Sequence, residues 1–346
     1  MCQLAAYIGD KPLANILLRA IENQEPYFGA HASGLAVVDE GKILLEKDFG
    51  HIQLVKSKTK ISTMKGTVGI AHSRYSSKGK DNPYMNTKEM AHPFIDEKET
   101  FALMHIGYIS NYRALWEELK DKYTFVTYSE MMRDITDSEV AVHLFSETLA
   151  EGRTIEESLK YLAKKCEGSF LFCVIHKDHP ETIWIANWHE PCIIAVGKNE
   201  TMFVTSRLGL YDIRDEFDRT FSPPKNSIIK LRKGSVKIST LDEERKIPLF
   251  KVDPMMLAHE IVKLLQKRGK MNVRQIYNSL RKEGFLCAIS ITKEEADDWT
   301  KQGISIINPY FEVLDMMLKQ GVIIENVKMK FEGGVEDTPR FHYSLR

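Results

Sequence analysis

A strand pattern and a loop pattern meet in the stretch Gly69-Ile70-Ala71-His72-Ser73-Arg74-Tyr75-Ser76-Ser77-Lys78-Gly79. Its first half completes the β-rich run Thr67–His72, which predicts a strand, and its second half is polar and ends in glycine, which predicts a loop. Arg74 lies at the junction. Its planar guanidinium can bind a carboxylate through two hydrogen bonds, a geometry that lysine does not copy. An ordinary ion pair is the alternative role for this residue.

On either side of this stretch, up to about residue 250, short β-rich runs alternate with a few segments of helical periodicity. Many strands with few interspersed helices favour two stacked, mostly antiparallel sheets with helices outside them over a doubly wound parallel sheet. The predicted strands are Thr67–His72, Leu4–Ile8, Leu35–Val38, Lys42–Leu45, Phe101–Ile106, Phe170–Ile175, Thr182–Ala186, Cys192–Val196, Met202–Thr205, Ile228–Leu231 and Val236–Ser239. The predicted helices are Pro12–Glu22, Tyr112–Lys120, Ser138–Leu149 (with Ser138 as its capped start) and Ile155–Lys165.

After residue 250 the pattern changes to helices followed by a hairpin. Asp253-Pro254 is an N-cap followed by proline at the first helical position, and Gly269 follows the last turn, so residues 254–268 are predicted to form a helix. Further helices are predicted over Val273–Lys282, over residues 292–302, and from Asn308 to just before Gly321, and the hairpin over Val322–Lys330 and Arg340–Leu345. With the helix over residues 292–302 taken as an insert, the other three helices and the terminal hairpin are typical of a winged-helix domain.

Cys2 is the residue of the N-terminal region that is best suited to act as a nucleophile. Methionine aminopeptidases act when residue 2 is small, so Cys2 can become the mature N-terminus. Its thiol would then lie beside a free α-amine with a pKa near 8, a usable base at neutral pH without any histidine. A small apolar cysteine that opens the first strand is the alternative.

Together with Cys2, six ordered blocks of sequence resemble the class II glutamine amidotransferases, N-terminal-nucleophile hydrolases such as the glutaminase domain of glucosamine-6-phosphate synthase. The resemblance covers roughly residues 2–240. The blocks are Gly34–Asp39, which resembles the second strand of the family, Gly69–Gly79 (GxxHTRWATHG), Ala91–Pro93 (AHP), His105–Gly107 with Asn111 (HNGxxxN), Thr136–Val140 (TDTEV) and Glu167–Phe170 (EGAY).

The resemblance implies a four-layer αββα sandwich over residues 2–250, followed by the winged-helix-like domain over residues 254–346, an α+β architecture overall. It also implies hydrolysis of the side-chain amide of glutamine, with no cofactor and no metal. Cys2 would attack the amide, and the Gly107 N–H would stabilise the oxyanion. The implied substrate-binding residues are Arg74 for the α-carboxylate, Asp137 for the α-ammonium, Tyr75 and Ser77 in a loop that closes over the substrate, and His92 near it.

Two departures from the family pattern weaken the predicted chemistry. The family stabilises the oxyanion with an asparagine side chain as well as the glycine N–H, and the asparagine position is Ile106 here. Losing one such donor typically slows an enzyme about 10²–10³-fold. The arginine of an arginine-glycine pair near the nucleophile is replaced by Phe28. The pattern fits a slow glutaminase, or a degenerate glutamine-binding sensor that signals through its winged helix.

Composition and charge indicate the cellular compartment of the protein and argue against two classes of partner. The 48 basic and 48 acidic residues cancel, and no apolar run approaches the roughly 20 residues that cross a bilayer, which argues against nucleic-acid and membrane partners. The N-terminus lacks the features of a signal peptide, and the five cysteines lack CxxC spacing, so the sequence predicts a cytoplasmic protein with reduced thiols.

The remaining questions concern the acceptor and the substrate. No counterpart of the ammonia-accepting domains of larger family members is apparent, so a separate synthetase chain is predicted to receive the ammonia, with a homo-oligomer as the alternative. Another γ-glutamyl amide is an alternative substrate. A nucleic-acid regulator is the weakest alternative and would rely on the basic residues Lys267, Arg268 and Lys270.

Overall fold

The computed structural model of the protein describes residues 2–25, 30–76, 84, 86–245, 253–283, 292, 294, 308–330 and 338–346. The chain divides into two compact units, Met1–Lys246 and Ile247–Arg346. Among the described residues, no helix has both the length and the apolar character needed to cross a membrane.

The first unit is built on two antiparallel sheets. Its strands are β1 (Gln3–Ile8), β2 (Ala32–Asp39), β3 (Lys42–Phe49), β4 (Val68–Arg74), β5 (Phe94–Ile95), β6 (Phe101–Ile109), β7 (Gly168–His176), β8 (Ile183–Trp188), β9 (Ile193–Val196), β10 (Thr201–Val204), β11 (Arg219–Phe221), β12 (Ser227–Arg232) and β13 (Ser235–Thr240). A seven-stranded sheet has the order β11-β9-β10-β1-β4-β2-β3, and a six-stranded sheet the order β13-β12-β8-β7-β6-β5. Strand β1 therefore lies inside its sheet, paired with β4 from Gln3 opposite Ser73 to Ile8 opposite Val68.

Helices cover the outer face of each sheet. They are α1 (Leu13–Gln24), α2 (Ile52–Lys58), α3 (Tyr112–Leu119), α4 (Asp137–Ala150) and α5 (Ile155–Lys165). The apolar faces of α1 and α2 pack on the seven-stranded sheet, and those of α3, α4 and α5 on the six-stranded sheet. The predicted αββα sandwich is therefore confirmed: four layers enclose one apolar core between the sheets and one beneath each helical layer.

The alternation of side chains along β1 and β4 determines which of their residues face the core between the two sheets. Leu4, Ala6 and Ile8 of β1 all belong to that core, and Cys2 packs against its edge. Along β4, Val68 and Ile70 belong to the same core. Because residues of one parity share a face, Arg74 is placed on the face of β4 that looks towards the six-stranded sheet, near Cys2.

In the first unit, the structure differs from the sequence prediction at short elements and at one helix cap. Helix α2 was not predicted, because its seven residues are too few to show helical periodicity. Strands β5 and β11 were not predicted either, because their two and three residues are below the length at which alternation can be recognised. The capped start assigned to Ser138 is wrong: α4 begins at Asp137, and the side chain of Thr136 caps it by accepting the Glu139 N–H at 3.4 Å.

The second unit contains three described helices and a two-stranded antiparallel sheet. Its elements are α6 (Pro254–Arg268), α7 (Val273–Glu283), α8 (Asn308–Lys319), β14 (Ile323–Lys330) and β15 (Thr338–Leu345). Asp253 caps α6 by accepting two backbone N–H groups, as predicted. Of the helix predicted over residues 292–302, only residues 292 and 294 are described, and residues 331–337, which join the two strands of the predicted hairpin, lie outside the described residues. Winged-helix character stays a prediction.

Candidate active site

The thiol of Cys2 lies at the start of β1, against the backbone of Tyr75. The Tyr75 N–H is directed at Sγ from 3.4 Å, and Sγ lies 3.7 Å from the Tyr75 carbonyl oxygen. Burial raises the pKa of the Cys2 thiol above its ordinary value, and the nearby amino terminus, the Tyr75 N–H and Arg74 oppose that shift. The thiol is therefore neutral at rest and needs a base in order to act as a nucleophile.

Arg74 ends β4 and places a buried cation beside the thiol. Its side chain is only 7% exposed, and its Nη1 donates to Asn86 Oδ1 at 3.1 Å. Burial lowers the pKa of the guanidinium, while Cys2 and Asp137 raise it. Arginine remains charged under these conditions, so the side chain presents a desolvated, fork-shaped donor to the same cavity as the thiol.

Asp137 is the first residue of α4 and supplies the opposing negative charge. Its Oδ2 accepts the backbone N–H of Ile109 at 3.0 Å, and its Oδ1 accepts Ser138 Oγ at 3.3 Å. Its position in the first turn also sets the carboxylate at the positive end of the helix dipole. A carboxylate held in this way is ready to bind a cationic group.

Two histidine rings, His92 and His105, line the cavity, and a third, His72, contacts His92. His72 and His92 stack with their centroids 4.1 Å apart, and His72 Nε2 lies 3.1 Å from the carbonyl oxygen of His105. Burial lowers the pKa of His72 to about 3 and that of His92 well below its ordinary value. Both rings are therefore neutral. Neither ring nitrogen of His92 has a hydrogen-bond partner among the described residues.

Gly107 occupies a position in β6 that no other residue fits. Its φ is +128°, and a Cβ there would approach the carbonyl oxygen of Ser169 to 2.1 Å. The neighbouring side chain, Ile106, is 2% exposed and belongs to the apolar core between the sheets, against whose edge Cys2 packs. Asn111, the last residue of the HNGxxxN match, bonds the backbone of Lys165 and Glu167 and so has a structural role.

Six of the seven predicted catalytic and binding residues line one cavity. The cavity is lined by Cys2, Arg74, Tyr75, Ser76, His92, His105, Gly107, Tyr108, Tyr112, Ile135, Thr136, Asp137 and Ser138. The predicted Ser77 lies outside the described residues, as does Phe28. Tyr108 and Tyr112 were not predicted, since an isolated tyrosine carries no local signal, whereas Thr136 and Ser138 belong to the matched TDTEV block. Within the described ranges, no group of three or more His, Cys, Asp or Glu side chains is placed to hold a metal ion.

Glu25 lies behind the strand that carries Arg74. One oxygen, Oε1, accepts Ser73 Oγ at 2.7 Å, the Ile52 N–H at 2.9 Å and Ser33 Oγ at 3.0 Å. Burial nevertheless raises the pKa of the Glu25 carboxyl to about 7, and these three donors only partly offset it. Between pH 4.5 and about 7 the Glu25 carboxyl is therefore mostly protonated in the folded protein and mostly ionised in the unfolded chain.

Replacing Glu25 with glutamine is expected to remove part of the pH dependence of stability. Because the folded pKa is raised, the wild type loses stability as pH rises from the ordinary value of 4.5 to about 7, by about 3 kcal/mol for this group. Glutamine keeps an Oε1 acceptor and does not ionise. Urea unfolding at pH 5 and pH 8 measures the difference, with the exposed Glu117→Gln as the control. An equal loss of stability in wild type and Glu25→Gln would contradict the assignment.

Comparison with known proteins adds sequence relatives to this geometry. Residues 81–210 match a family profile described as "Glutamine amidotransferase domain". The glutamine–fructose-6-phosphate aminotransferase (isomerizing) of Aquifex aeolicus is 34% identical over 205 residues, which are 59% of this chain and 32% of that protein. The enzyme of the same name from Chlamydia muridarum is 31% identical over 206 residues, 60% of this chain and 32% of that protein. The chain thus spans about a third of the length of these relatives.

Solved structures share the fold. The glutamine phosphoribosylpyrophosphate amidotransferase of B. subtilis, complexed with ADP and GMP, has a TM-score of 0.58 at 17% identity, covering 74% of this chain and 52% of that one. A structure described as the allosteric regulatory enzyme of purine biosynthesis has a TM-score of 0.59 at 15% identity, covering 78% of this chain and 58% of that one. At these identities the likeness concerns the fold alone.

Proposed function

We propose that this chain, whose first unit is a class II glutamine amidotransferase domain, hydrolyses the side-chain amide of glutamine to glutamate and ammonia. The observation that carries the proposal is the single cavity into which Cys2, Arg74 and Asp137 all project. A thiol, a desolvated guanidinium and a fixed carboxylate match the three functional ends of a free amino acid that bears a scissile amide.

Recognition of the amino-acid end uses opposite charges. Arg74 binds the α-carboxylate through two parallel hydrogen bonds, and Asp137 binds the α-ammonium. His92 lines the same cavity, and its ring is neutral because burial lowers its pKa well below the ordinary value, so we propose that it lies near the bound carboxylate. The side-chain amide then extends towards Cys2. Tyr75 lines the cavity, and we propose that it contacts the bound substrate, while the substrate-binding role of Ser77 stays a prediction from the sequence.

The reaction starts from the neutral thiol. Once Met1 is removed, the α-amine of Cys2 accepts the thiol proton while Sγ attacks the amide carbon. The tetrahedral intermediate collapses, the C–N bond breaks, and the amine returns the proton to the leaving nitrogen, which departs as ammonia. Water, deprotonated by the same amine, then attacks the γ-glutamyl thioester, so that glutamate leaves and the thiol is restored.

The oxyanion of the tetrahedral intermediate is stabilised by the Gly107 N–H, and the side chain of residue 106 offers no second donor. Ile106 is buried in the core against which Cys2 packs, and the residue after it, Gly107, lines the same cavity as Cys2, so we infer that an asparagine at position 106 would bring an amide N–H towards the nucleophile. A missing oxyanion donor typically lowers kcat about 10²–10³-fold. We therefore place this protein among slow glutaminases.

The substitution Ile106→Asn is expected to raise kcat for glutamine hydrolysis by about tenfold or more, with a small change in KM. It should also lower stability, because a polar side chain replaces an apolar one in the core. Initial rates of glutamate release measure the gain. The matched control is Ile106→Val, which supplies no donor. An unchanged kcat in a folded Ile106→Asn protein would mean that residue 106 does not face the oxyanion.

The activity itself is tested by incubating the Met1-processed protein with glutamine and measuring glutamate and ammonia. Release by the wild type that falls to background in Cys2→Ala supports the proposal. Equal release by both proteins would overturn it.

Delivery of the ammonia is the second part of the proposal. We infer that a separate synthetase chain in the cytoplasm takes up the product. The relatives are named for amino transfer from glutamine to fructose 6-phosphate, and this chain spans 32% of their length. With glutamine as the nitrogen source, a synthetase that uses this ammonia should give a higher yield of aminated product when this protein is added than when it is absent.

A glutamine sensor is the second candidate function, and the burial of Ile106 in place of a donor favours it. This function predicts calorimetric binding of glutamine without turnover, lost in Arg74→Ala. Turnover abolished by Cys2→Ala would exclude it.

A further inference from the structure

His31 lies just before β2 and contacts the segment that follows Arg74. Its Nδ1 accepts the backbone N–H of Ser76 at 3.0 Å, and its ring stacks on that of Tyr75 with centroids 5.1 Å apart and planes inclined by 19°. Its own backbone is fixed, since its N–H donates to the Arg74 carbonyl at 3.0 Å and its carbonyl accepts the Gly50 N–H at 2.8 Å. His31 is therefore an anchored side chain that holds two consecutive residues.

The segment that His31 holds is the one that contacts the nucleophile. The Tyr75 N–H is directed at Cys2 Sγ from 3.4 Å, and a hydrogen bond of this kind stabilises the thiolate over the thiol. The direction of that N–H depends on the peptide planes on either side of Tyr75. His31 restrains these planes through the neighbouring Ser76 N–H and through the ring of Tyr75.

This restraint requires an unprotonated Nδ1, because a protonated imidazole accepts no hydrogen bond. The charged groups that act on His31 are Arg74 and the amino terminus. Burial first, and then these two positive charges, lower the pKa of His31 below its ordinary value. The acceptor is thus available at neutral pH.

We propose that His31 is a positioning residue for Cys2: its neutral Nδ1 and its ring hold Tyr75 and Ser76 so that the Tyr75 N–H stays directed at the Cys2 thiol. For its effect on turnover this inference rests on the proposed glutaminase function. Its effect on the thiol is independent of any substrate.

Variants at residue 31 separate the acceptor from the ring. His31→Phe keeps the stacking and loses the acceptor, whereas His31→Asn keeps an acceptor close to the position of Nδ1 and loses the ring. Because His31 is only partly buried, neither change removes a core side chain. His31→Ala also lacks the acceptor, and whichever acceptor-less variant folds, judged by circular dichroism, decides the outcome.

The first measurement is the pH dependence of Cys2 alkylation by iodoacetamide, followed by peptide mass spectrometry in the Met1-processed protein. Loss of the acceptor is expected to shift the midpoint upward by about half a pH unit, because the thiolate loses a donor. His31→Asn should keep the wild-type midpoint. The second measurement is glutamine hydrolysis, for which kcat/KM is expected to fall about tenfold in the acceptor-less variants and to recover at least half in His31→Asn.

The two measurements distinguish the two hypotheses. An upward shift of the alkylation midpoint in the acceptor-less variants, with a wild-type midpoint in His31→Asn, supports the role of His31 whether or not the wild type releases glutamate. Absence of glutamate release by the wild type would overturn only the proposed function. A wild-type midpoint in the acceptor-less variants, or an asparagine variant as impaired as they are, would overturn the role of His31 whatever the glutaminase activity.

Discussion

Replacing Cys2 with alanine is expected to lower the rate of glutamate release from glutamine by about 10⁴-fold or more, to the uncatalysed background. The thiol is the group that forms the covalent intermediate, and within the described part of the chain no other cysteine, serine or threonine lies in the position of Cys2 beside the Tyr75 N–H. Because alanine is as small as cysteine, Met1 removal should continue and the terminal amine should be present in both proteins. A coupled glutamate assay measures the difference.

The control for the cysteine substitution is Cys287→Ser, which changes a thiol of the second unit. It is expected to leave glutamate release unchanged. Intact mass spectrometry establishes that Met1 is absent from each protein. Comparable turnover in Cys2→Ala and in wild type would exclude the thiol mechanism.

Replacing Arg74 with lysine is expected to raise KM for glutamine roughly 30- to 100-fold with a smaller effect on kcat. The guanidinium is 7% exposed, so its two hydrogen bonds to a carboxylate would form in a largely desolvated site, where lysine offers a point charge and no planar fork. The reacting amide lies at the other end of the substrate, which is why binding should suffer more than chemistry. Steady-state kinetics over a wide range of glutamine concentrations measure both parameters.

Arg19→Lys serves as the matched control, because Arg19 is partly exposed and pairs with Asp212 and Glu22 away from the cavity. It should leave KM within a factor of two. A KM for Arg74→Lys that stays within threefold of the wild-type value would show that the substrate carboxylate binds elsewhere.

The layered fold could be predicted because its strands are long enough to show alternation and its helices carry one apolar face. The run Leu4–Ile8 became β1, and Ile155–Lys165 became α5 with the same bounds. The exceptions are short or capped elements. Seven residues in α2 carry too little periodicity, and the cap of α4 lies two residues before Ser138 because the Thr136 hydroxyl, rather than the serine, reaches the Glu139 N–H.

The candidate site could be predicted to the extent that its residues lie in recognisable motifs. Arg74 and Asp137 come from separate blocks and line one cavity with Cys2, because β1 and β4 are paired and α4 starts beside the end of β6. The contact between His31 and Ser76 could not be predicted: 45 residues separate them, and only the pairing of β2 with β4 brings them together. Neither partner carries a motif that points to the other.

The central hypothesis is that Cys2 forms a covalent bond with the glutamyl group of the substrate. It is tested most directly by mixing the Met1-processed protein with glutamine, quenching in acid within a single turnover, and mapping the modified peptide by mass spectrometry. We predict a γ-glutamyl thioester on Cys2, formed together with one equivalent of ammonia. Ammonia release without a Cys2 adduct, or an adduct on any other residue, would contradict it.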